Sequence, residues 1–206
     1  MRYGALQGNR PRIIGLTGGI ATGKTTVSDY LCRHHDLTIL DADLYAREAI
    51  SQGSEGLKAV IQRYGSKIMK TADTLDRTQL AQVIFQDSTE KRWLEALIHP
   101  YVRDRLTSTA KSLGEQPILV MDIPLLFEAQ MTDLVSEIWV VNCEPGQQRN
   151  RLMQRNHLTQ LAAQARIDSQ MPLAQKCDRA DIVLDNSGSI EALYAQVDRA
   201  LQHHPN

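Results

Sequence analysis

Eight consecutive residues near the start of the chain have the types and spacing of a loop that holds phosphate groups. The run Gly18-Gly19-Ile20-Ala21-Thr22-Gly23-Lys24-Thr25 fits the pattern G-x-x-x-x-G-K-S/T, with an apolar segment before it and a helical pattern after it. Glycines let backbone N–H groups turn towards a phosphate, and the N-terminus of the next helix attracts the same anion. We expect Lys24 to reach the outer phosphates and Thr25 to offer its hydroxyl to Mg²⁺. The run therefore predicts a site for a nucleoside triphosphate and its metal.

Acidic residues stand where two further predicted strands end. Asp41 and Asp43 follow the apolar run Leu37–Leu40, and Asp122 follows Ile118–Met121. A kinase that phosphorylates a hydroxyl group needs a carboxylate to orient that hydroxyl and accept its proton. Both acids could point at the site, and we expect one of them, Asp41 in preference to Asp43, to cap the next helix instead. Asp122 could bind Mg²⁺ through a water molecule, or it could form a hydrogen bond to a neighbouring loop.

Apolar runs alternate with helical patterns along most of the chain. Strands are predicted at Ile13–Leu16, Leu37–Leu40, Ile118–Met121, Ile138–Val141 and Ile182–Leu184. Each run is apolar on both faces, which favours a parallel sheet covered by helices on both sides. The expected fold class is α/β, with three layers around a five-stranded parallel sheet. Residues 44–112 are predicted to be mostly helical, and helical patterns also cover Gln147–Met171 and Ile190–Gln202.

A basic segment follows the fourth predicted strand. Arg151 and Arg155 are one helical turn apart, so the two guanidinium groups could hold phosphate oxygens and neutralise charge during transfer. Arg149 and Arg166 are more typical of a solvated helix face. Two other polar positions stay open. Asn186 could line the adenine end of an ATP site or form a turn, and Lys176 could face phosphate or lie on the surface.

The composition argues against several classes of protein. The net charge of −1 over 206 residues gives no reason to expect a nucleic-acid partner. No apolar run reaches the roughly 18 residues that cross a bilayer. Three scattered cysteines argue against a disulfide framework or a zinc site and fit a reducing cytoplasm. The sequence has no guanine-reading N-K-x-D segment, so the pattern favours a kinase of a small molecule over a switch GTPase.

Further segments, taken in order, resemble the dephospho-CoA kinase family. They are Gly15-Leu16-Thr17-Gly18-Gly19-Ile20, Leu40-Asp41-Ala42-Asp43 with Ala46-Arg47, Leu75-Asp76-Arg77 with Leu80 and Phe85, Leu97-Ile98-His99-Pro100, Ile123-Pro124-Leu125-Leu126-Phe127-Glu128, Gln154-Arg155, and Ala180-Asp181 through Asp185-Asn186. The resemblance covers nearly the whole chain. A phosphate loop alone would be generic, whereas this ordered set is not.

The resemblance implies transfer of the ATP γ-phosphate to the ribose 3′-hydroxyl of dephospho-CoA, the last step of coenzyme A synthesis, with Mg²⁺ as the metal. It also implies three parts of the chain. These are a P-loop NTPase core at about 12–44, 113–146 and 179–203, a helical acceptor-binding insertion at about 45–112, and a mobile lid at about 147–178.

Together, the motifs and the resemblance assign the site residues. The catalytic set is Asp43, Lys24 and Arg151. The nucleotide-binding set is Gly19, Ile20, Ala21, Thr22, Gly23, Lys24, Thr25, Thr26, Arg155 and Asn186. The acceptor-binding set is Asp43, Arg47, Arg77, His99 and Leu125. The metal ligand is Thr25, with Asp122 acting through water.

The loop departs from the family at one position. The family usually has G-I-G-S-G-K where this chain has Gly19-Ile20-Ala21-Thr22-Gly23-Lys24. We expect Ala21 to be tolerated with helical backbone angles.

Two other functions stay open at this point. One is a kinase of another small alcohol or nucleotide, against which the D-A-D and H-P segments argue. The other is a nucleotide-binding regulator without catalysis, against which Lys24, Thr25 and Asp43 argue. We expect a cytoplasmic monomer or weak homo-oligomer that binds no nucleic acid or membrane. We expect residues 1–12 to be a short flexible lead-in or to reflect the choice of start site.

Overall fold

The computed structural model describes residues 11–71, 74–114 and 116–203 of the chain. Its helices are α1 (Lys24–His35), α2 (Ala42–Ala49), α3 (Glu55–Tyr64), α4 (Arg77–Gln86), α5 (Ser88–Ser112), α6 (Pro145–Asn156), α7 (Gln160–Asp168), α8 (Leu173–Cys177) and α9 (Ile190–Gln202). Its strands are β1 (Arg12–Gly18), β2 (Thr38–Asp41), β3 (Met69–Thr71), β4 (Thr74–Leu75), β5 (Ile118–Asp122), β6 (Glu137–Asn142) and β7 (Ile182–Asp185). The expected lead-in lies mostly outside the described residues, and its last residue, Arg12, begins β1.

The chain forms two compact units. Of the described residues, those up to Leu40 and from Leu113 onward form the sheet unit, and those from Asp41 to Ser112 form the helical unit. No helix of the described residues is both long and apolar enough to cross a membrane.

Five strands form the central sheet in the order β2-β5-β1-β6-β7. The pairs β1·β5, β1·β6 and β6·β7 are parallel, which confirms the predicted five-stranded parallel sheet. The register pairs Leu16 with Asp122 and Gly18 with Val141. Since parallel strands end at the same edge, this register brings the phosphate loop and the acid that ends β5 side by side.

The sheet unit has an apolar core between the central strands and two helices. Strand residues such as Ile14, Val120 and Trp139 pack there with Leu31 of α1 and Val197 of α9, and all five are fully buried. Their periodicity of two in the strands and nearly four in the helices places them on the covered faces.

The expectation that every strand is covered on both faces is wrong for β7. Val183 is 42% exposed, because β7 is the last strand of the sheet and one of its faces is incompletely covered at that residue.

The helical unit contains α2–α5 and a two-stranded antiparallel hairpin, β3 with β4. The predominance of helix was predicted and the hairpin was not. An apolar cluster that includes Leu57, Val60, Leu80 and Leu94 forms the core of this unit.

The basic segment after β6 is helical but not continuous. His157 has φ 51°, a left-handed conformation that ends α6, and the side chain of Thr159 caps the start of α7 by accepting a hydrogen bond from the backbone N–H of Ala162. A further short helix, α8, follows. The helical pattern predicted over Gln147–Met171 therefore missed the break at His157.

Candidate active site

The phosphate loop joins β1 to α1, and one position of the loop requires glycine. Gly23 stands at the N-cap of α1 with φ 102°, a conformation that L side chains rarely adopt. A Cβ atom at Gly23 would also lie 2.0 Å from Nδ2 of Asn186. The first turn of α1 carries no acidic residue, so its N-terminal N–H groups suit an anion.

Hydrogen bonds within the loop and from β7 fix its shape. Thr22 is fully buried, and its hydroxyl donates to the carbonyl of Gly19 at 2.9 Å. Asn186 donates from Nδ2 to the carbonyl of Thr22 at 2.8 Å. Asn186 therefore contacts the backbone of the loop, and it is also buried. The sequence suggested that Asn186 lines the adenine end of an ATP site or forms a turn, and neither interpretation includes this bond to the loop.

Two glutamines bind the backbone of Ile20 in the loop, one at its carbonyl and the other at its N–H. The buried side chain of Gln148 donates from Nε2 to the carbonyl of Ile20 at 2.9 Å. The N–H of Ile20 donates to Oε1 of Gln170, also at 2.9 Å. Neither glutamine was predicted to be functional. Glutamines are common on helix surfaces, so residue type gave no signal for these contacts.

Ala21 lies in an unexpected backbone conformation. Its φ is 62°, so the expectation of helical backbone angles is wrong. The residue occupies the position where the resembling family usually has glycine, and its left-handed conformation explains that preference.

The loop lysine pairs with the acid at the end of β5. Lys24 and Asp122 form an ion pair, with side chains 17% and 8% exposed. The register of β1 and β5 produces this pairing, because it places Asp122 beside the residues that lead into the loop. Asp122 thus holds the ammonium group at the mouth of the loop, a role that neither earlier interpretation included.

Two side-chain oxygens beside the loop are of the chemical type that binds Mg²⁺. Within the described residues, no group of three or more His, Cys, Asp or Glu side chains could hold a metal ion. Mg²⁺ at a phosphate site needs only one or two protein oxygens, however, since phosphates and waters supply the others. The exposed Thr25 hydroxyl and the Asp122 carboxylate are oxygens of that kind.

The two predicted lid arginines have different surroundings. Arg151 is half-buried and donates from Nη2 to the carbonyl of Asn186 at 3.0 Å. Its Nη1 is buried without a hydrogen-bond partner among the described residues. Arg155 is exposed and donates from Nε to the side chain of Asn156. Arg151 therefore reaches the residue that supports the loop, whereas Arg155 faces solvent.

Lys176 is neither on the surface nor exposed to a ligand. The side chain is completely buried, and its ammonium group contacts the carbonyl oxygens of Gly18 and Pro124 and the carboxylate of Glu128. The interpretation of Lys176 as a surface lysine is wrong.

A cavity of about 250 Å³ in the helical unit is lined by most of the predicted acceptor residues. Asp43, Arg47 and Arg77 supply its charged part, and aliphatic side chains supply the remainder. These are Ala46, Ile50, Leu80, Ala81, Ile84, Leu94 and Ile98. An aliphatic pocket with one carboxylate and two guanidinium groups suits an organic ligand that carries phosphate and hydroxyl groups.

The structure separates the roles of the two acids after β2. Asp41 is the N-cap of α2, and its Oδ1 accepts from the N–H groups of Asp43 and Leu44 at 2.8 and 3.3 Å. The predicted capping role of Asp41 is confirmed. Asp43 lies in the first turn of α2 and faces the cavity.

Two other predicted acceptor residues are not among those that line this cavity. His99 lies half-buried on α5, where burial lowers its pKa despite an opposing effect from Glu95. Leu125 belongs to the sheet unit, is half-buried, and lies in the turn that follows β5.

The parallel sheet, the phosphate loop and the loop lysine define a nucleotide-binding protein of the P-loop class. Comparison with known proteins makes the assignment narrower. The family model described as dephospho-CoA kinase matches residues 12–192. The dephospho-CoA kinase of Trichormus variabilis is 59% identical over 191 residues, which cover 92% of this chain and 96% of that protein. The chain therefore belongs to the dephospho-CoA kinase family.

Solved structures agree with that membership. The protein TT1252 from Thermus thermophilus superposes with a TM-score of 0.78 at 34% identity, covering 95% of this chain and 99% of that one. A dephospho-CoA kinase from Campylobacter jejuni gives a TM-score of 0.68 at 25% identity, covering 92% and 95%.

Proposed function

We propose that this kinase transfers the γ-phosphate of ATP to the ribose 3′-hydroxyl of dephospho-CoA, giving coenzyme A and ADP. The observation that carries the proposal is the match of residues 12–192 to the dephospho-CoA kinase family. The geometry of the phosphate loop supports the donor half of the reaction, and the cavity in the helical unit supports the acceptor half.

On the donor side, the loop and α1 provide the phosphate-binding groups. The N–H groups at the start of α1 and the ammonium of Lys24 would neutralise the phosphate chain as charge shifts towards ADP. Thr25, with Asp122 through water, would hold Mg²⁺, which supplies further charge neutralisation when bound. We propose that Arg151 and Arg155 bind the transferred phosphoryl group, because their guanidinium groups can hold phosphate oxygens.

On the acceptor side, Asp43 is the proposed base. The 3′-oxygen attacks the γ-phosphorus, the bond between that phosphorus and the bridging oxygen of ADP breaks, and the hydroxyl proton passes to Asp43. Arg47 and Arg77 lie on the same cavity and would bind acceptor phosphate oxygens. His99, whose pKa is lowered by burial, would act as a neutral hydrogen-bonding group at pH 7.

A direct assay tests this function. Purified protein is incubated with Mg-ATP and dephospho-CoA, and coenzyme A and ADP are measured by chromatography. Both products should appear in equal amounts. A folded, ATP-binding preparation that makes no coenzyme A would overturn the proposal. The same assay with other alcohols and nucleotides as acceptors should give much lower kcat/KM values, and a better acceptor among them would redirect the function to a different kinase.

Replacing the proposed base should affect catalysis more than ATP binding. Asp43→Asn keeps the size of the side chain but removes its basicity, so kcat should fall by a factor on the order of 10² or more. The affinity for ATP should remain close to that of wild type. The exposed Asp104 of α5 provides the control, since Asp104→Asn should leave kcat unchanged. A nearly unchanged kcat in Asp43→Asn would exclude Asp43 as the base.

Replacing the loop lysine should weaken ATP binding and turnover together. Lys24→Ala removes the charge-assisted contact to the phosphates, and we expect the Kd for ATP to rise by about tenfold or more. The variant also leaves Asp122 without its ion-pair partner, so calorimetric titration should be done well below the melting temperature. Lys58→Ala, on an exposed face of α3, is the control. Wild-type ATP affinity in Lys24→Ala would contradict the assignment of the loop.

The metal, the location and the assembly state belong to the same proposal. We expect EDTA to abolish turnover and added Mg²⁺ to restore it. The three cysteines are free, which fits a reducing cytoplasm. We propose that the enzyme works as a monomer or weak homo-oligomer, which sedimentation at enzyme concentrations used in the assay would test.

A further inference from the structure

Lys176 is a fully buried cation whose hydrogen-bonding capacity is matched by its neighbours. Its Nζ donates to the carbonyl of Pro124 at 3.1 Å and to the carbonyl of Gly18 at 3.3 Å. The third partner is Oε1 of Glu128, at 2.9 Å. An ammonium group has three N–H donors, so three acceptors account for all of them.

The two carbonyl acceptors belong to the segments that build the ATP site. Gly18 is the first residue of the phosphate loop, and Pro124 follows shortly after Asp122, the partner of Lys24. The hydroxyl of Thr17 also donates to the carbonyl of Pro124, at 3.1 Å. The ammonium of Lys176 therefore ties the end of β1 to the segment after β5, just beyond the last paired residues of the two strands.

The chain leading to Lys176 is attached to the same region at its other end. Gln170 accepts a hydrogen bond from the N–H of Ile20 in the loop. The next residue, Met171, donates its own N–H to Oε1 of Glu128 at 3.0 Å. Glu128 thus binds both Met171 and Lys176, and the stretch from residue 170 to residue 176 contacts the phosphate loop at two points.

Stability alone does not explain a buried lysine here. Desolvating a buried ion pair costs about as much as its attraction returns, and apolar residues of similar size often stabilise a protein as well or better. An apolar side chain at position 176 could not bind the carbonyls of Gly18 and Pro124, however. What the ammonium adds is a fixed position for those two backbone groups.

We propose that Lys176 is a positioning residue for ATP binding, which sets the spacing between the phosphate loop and the segment that carries Asp122. The inference depends on the proposed ATP site but not on the identity of the acceptor. Without the ammonium, the loop and Asp122 keep their functional groups, but the spacing between them is no longer fixed. ATP should therefore bind more weakly.

The first test is Lys176→Met, which keeps the length of the side chain and removes its charge. We expect the KM for ATP to rise by about tenfold, because two hydrogen bonds from a charged donor are lost. The KM for dephospho-CoA should stay within about twofold, since the change acts on the donor half of the site. Lys58→Met removes an exposed lysine that also contacts a glutamate, and it should change neither constant.

A double variant separates positioning from stability. Lys176→Met alone leaves Glu128 without its cation and should lower the melting temperature. Adding Glu128→Gln removes the unpaired charge and retains an oxygen for the N–H of Met171, so the melting temperature should recover. If Lys176 positions the loop, the KM for ATP stays raised in the double variant. Recovery of both quantities would overturn the proposal, as would an unchanged KM for ATP in Lys176→Met.

Calorimetric titration of ATP without acceptor keeps this test separate from the proposed function. A wild-type protein that binds ATP but does not phosphorylate dephospho-CoA would refute the acceptor assignment. The comparison of ATP affinities would still decide on Lys176. Weaker binding by the folded double variant than by wild type supports the inference, and equal binding contradicts it.

Discussion

A single alanine lies in the phosphate loop where the backbone favours glycine. Ala21 has φ 62°, and a side chain in the left-handed region costs roughly 1–2 kcal/mol because its Cβ crowds the following carbonyl oxygen. Neighbouring hydrogen bonds hold the loop in that shape: Gln148 donates to the carbonyl of Ile20, Gln170 accepts from the N–H of Ile20, and Asn186 donates to the carbonyl of Thr22. The loop thus carries local strain that its surroundings maintain.

Relieving that strain should stabilise the sheet unit. Ala21→Gly should raise the free energy of unfolding by about 0.5–1 kcal/mol. This value is the strain energy that is relieved in the folded state minus the free-energy cost of the greater entropy of glycine in the unfolded chain. The same substitution at Ala165, within α7, should instead destabilise by about 1 kcal/mol. Urea unfolding of both variants measures the two changes. A loss of stability in Ala21→Gly would show that the alanine conformation is not strained.

At the scale of single residues, sequence supports prediction where the pattern is local. Lys24 and Thr25 are fixed by a contiguous motif, and Asp41 could be predicted as a cap because the start of α2 follows it directly. Lys176 and Gln148 could not be predicted, since their partners lie between 48 and 158 positions away in the sequence. Long-range contacts of that kind leave no trace in local spacing.

At the scale of elements, periodicity predicted the strands and the longer helices but missed short interruptions. The end of α6 depends on a left-handed His157, a residue type that does not mark helix ends as glycine does. The β3–β4 hairpin has strands too short for an alternating pattern. Such elements are fixed by their packing and not by their own sequence pattern.

One cluster links α3 to α5 in the helical unit. Glu90 accepts hydrogen bonds from Nε and Nη2 of Arg63 at 2.6 and 2.8 Å and from the hydroxyl of Tyr64 at 2.6 Å. The guanidinium of Arg63 also lies 4.6 Å from the ring centroid of Trp93. These bonds, first from Arg63 and then from Tyr64, lower the pKa of Glu90 to about 2. Burial and the Glu90 carboxylate raise the pKa of Tyr64 to about 12.

The lowered pKa of Glu90 predicts how the helical unit responds to acid. A carboxylate whose pKa is lower in the folded state stabilises the fold above its ordinary pKa of 4.5, and that stability is lost as the pH falls towards about 2. Glu90→Gln should therefore melt at a lower temperature than wild type at pH 7, with a difference that shrinks below pH 4.5. Melting curves from neutral to acid pH measure this. Glu55→Gln, at an exposed site, should follow wild type, and parallel curves for Glu90→Gln and wild type would contradict the prediction.

At the scale of the whole molecule, the alternation of strands and helices was enough to predict the sheet. The order β2-β5-β1-β6-β7 places β1 at the centre, so the loop that follows it is surrounded by other strand ends. The pattern could not predict how β1, the first strand of the sheet unit, is bonded to α9, its last helix. The polar part of that connection comes from the side chain of Arg12, the first residue of β1.

Arg12 connects the first strand to the last helix. It pairs with Glu137 of β6, which is 2% exposed, and donates from Nη1 and Nη2 to the carbonyls of Leu201 and Ala200 at 2.7 and 3.0 Å. These carbonyls lie in the last turn of α9, where helices leave such groups unsatisfied. One guanidinium group therefore neutralises a buried acid and completes the end of a helix.

Removing that guanidinium should destabilise the sheet unit substantially. Arg12→Met leaves Glu137 buried without its cation, and we expect a loss of about 3 kcal/mol in the free energy of unfolding. A second change, Glu137→Gln, should recover a large part of the loss, because no unpaired charge then remains. Trp139, beside this pair on β6, can report unfolding by fluorescence in a Trp93→Phe background. Arg33→Met, on the exposed last turn of α1, should cost only a few tenths of a kcal/mol. A similarly small loss in Arg12→Met would mean that water reaches Glu137 once the arginine is gone and that α9 ends stably without it.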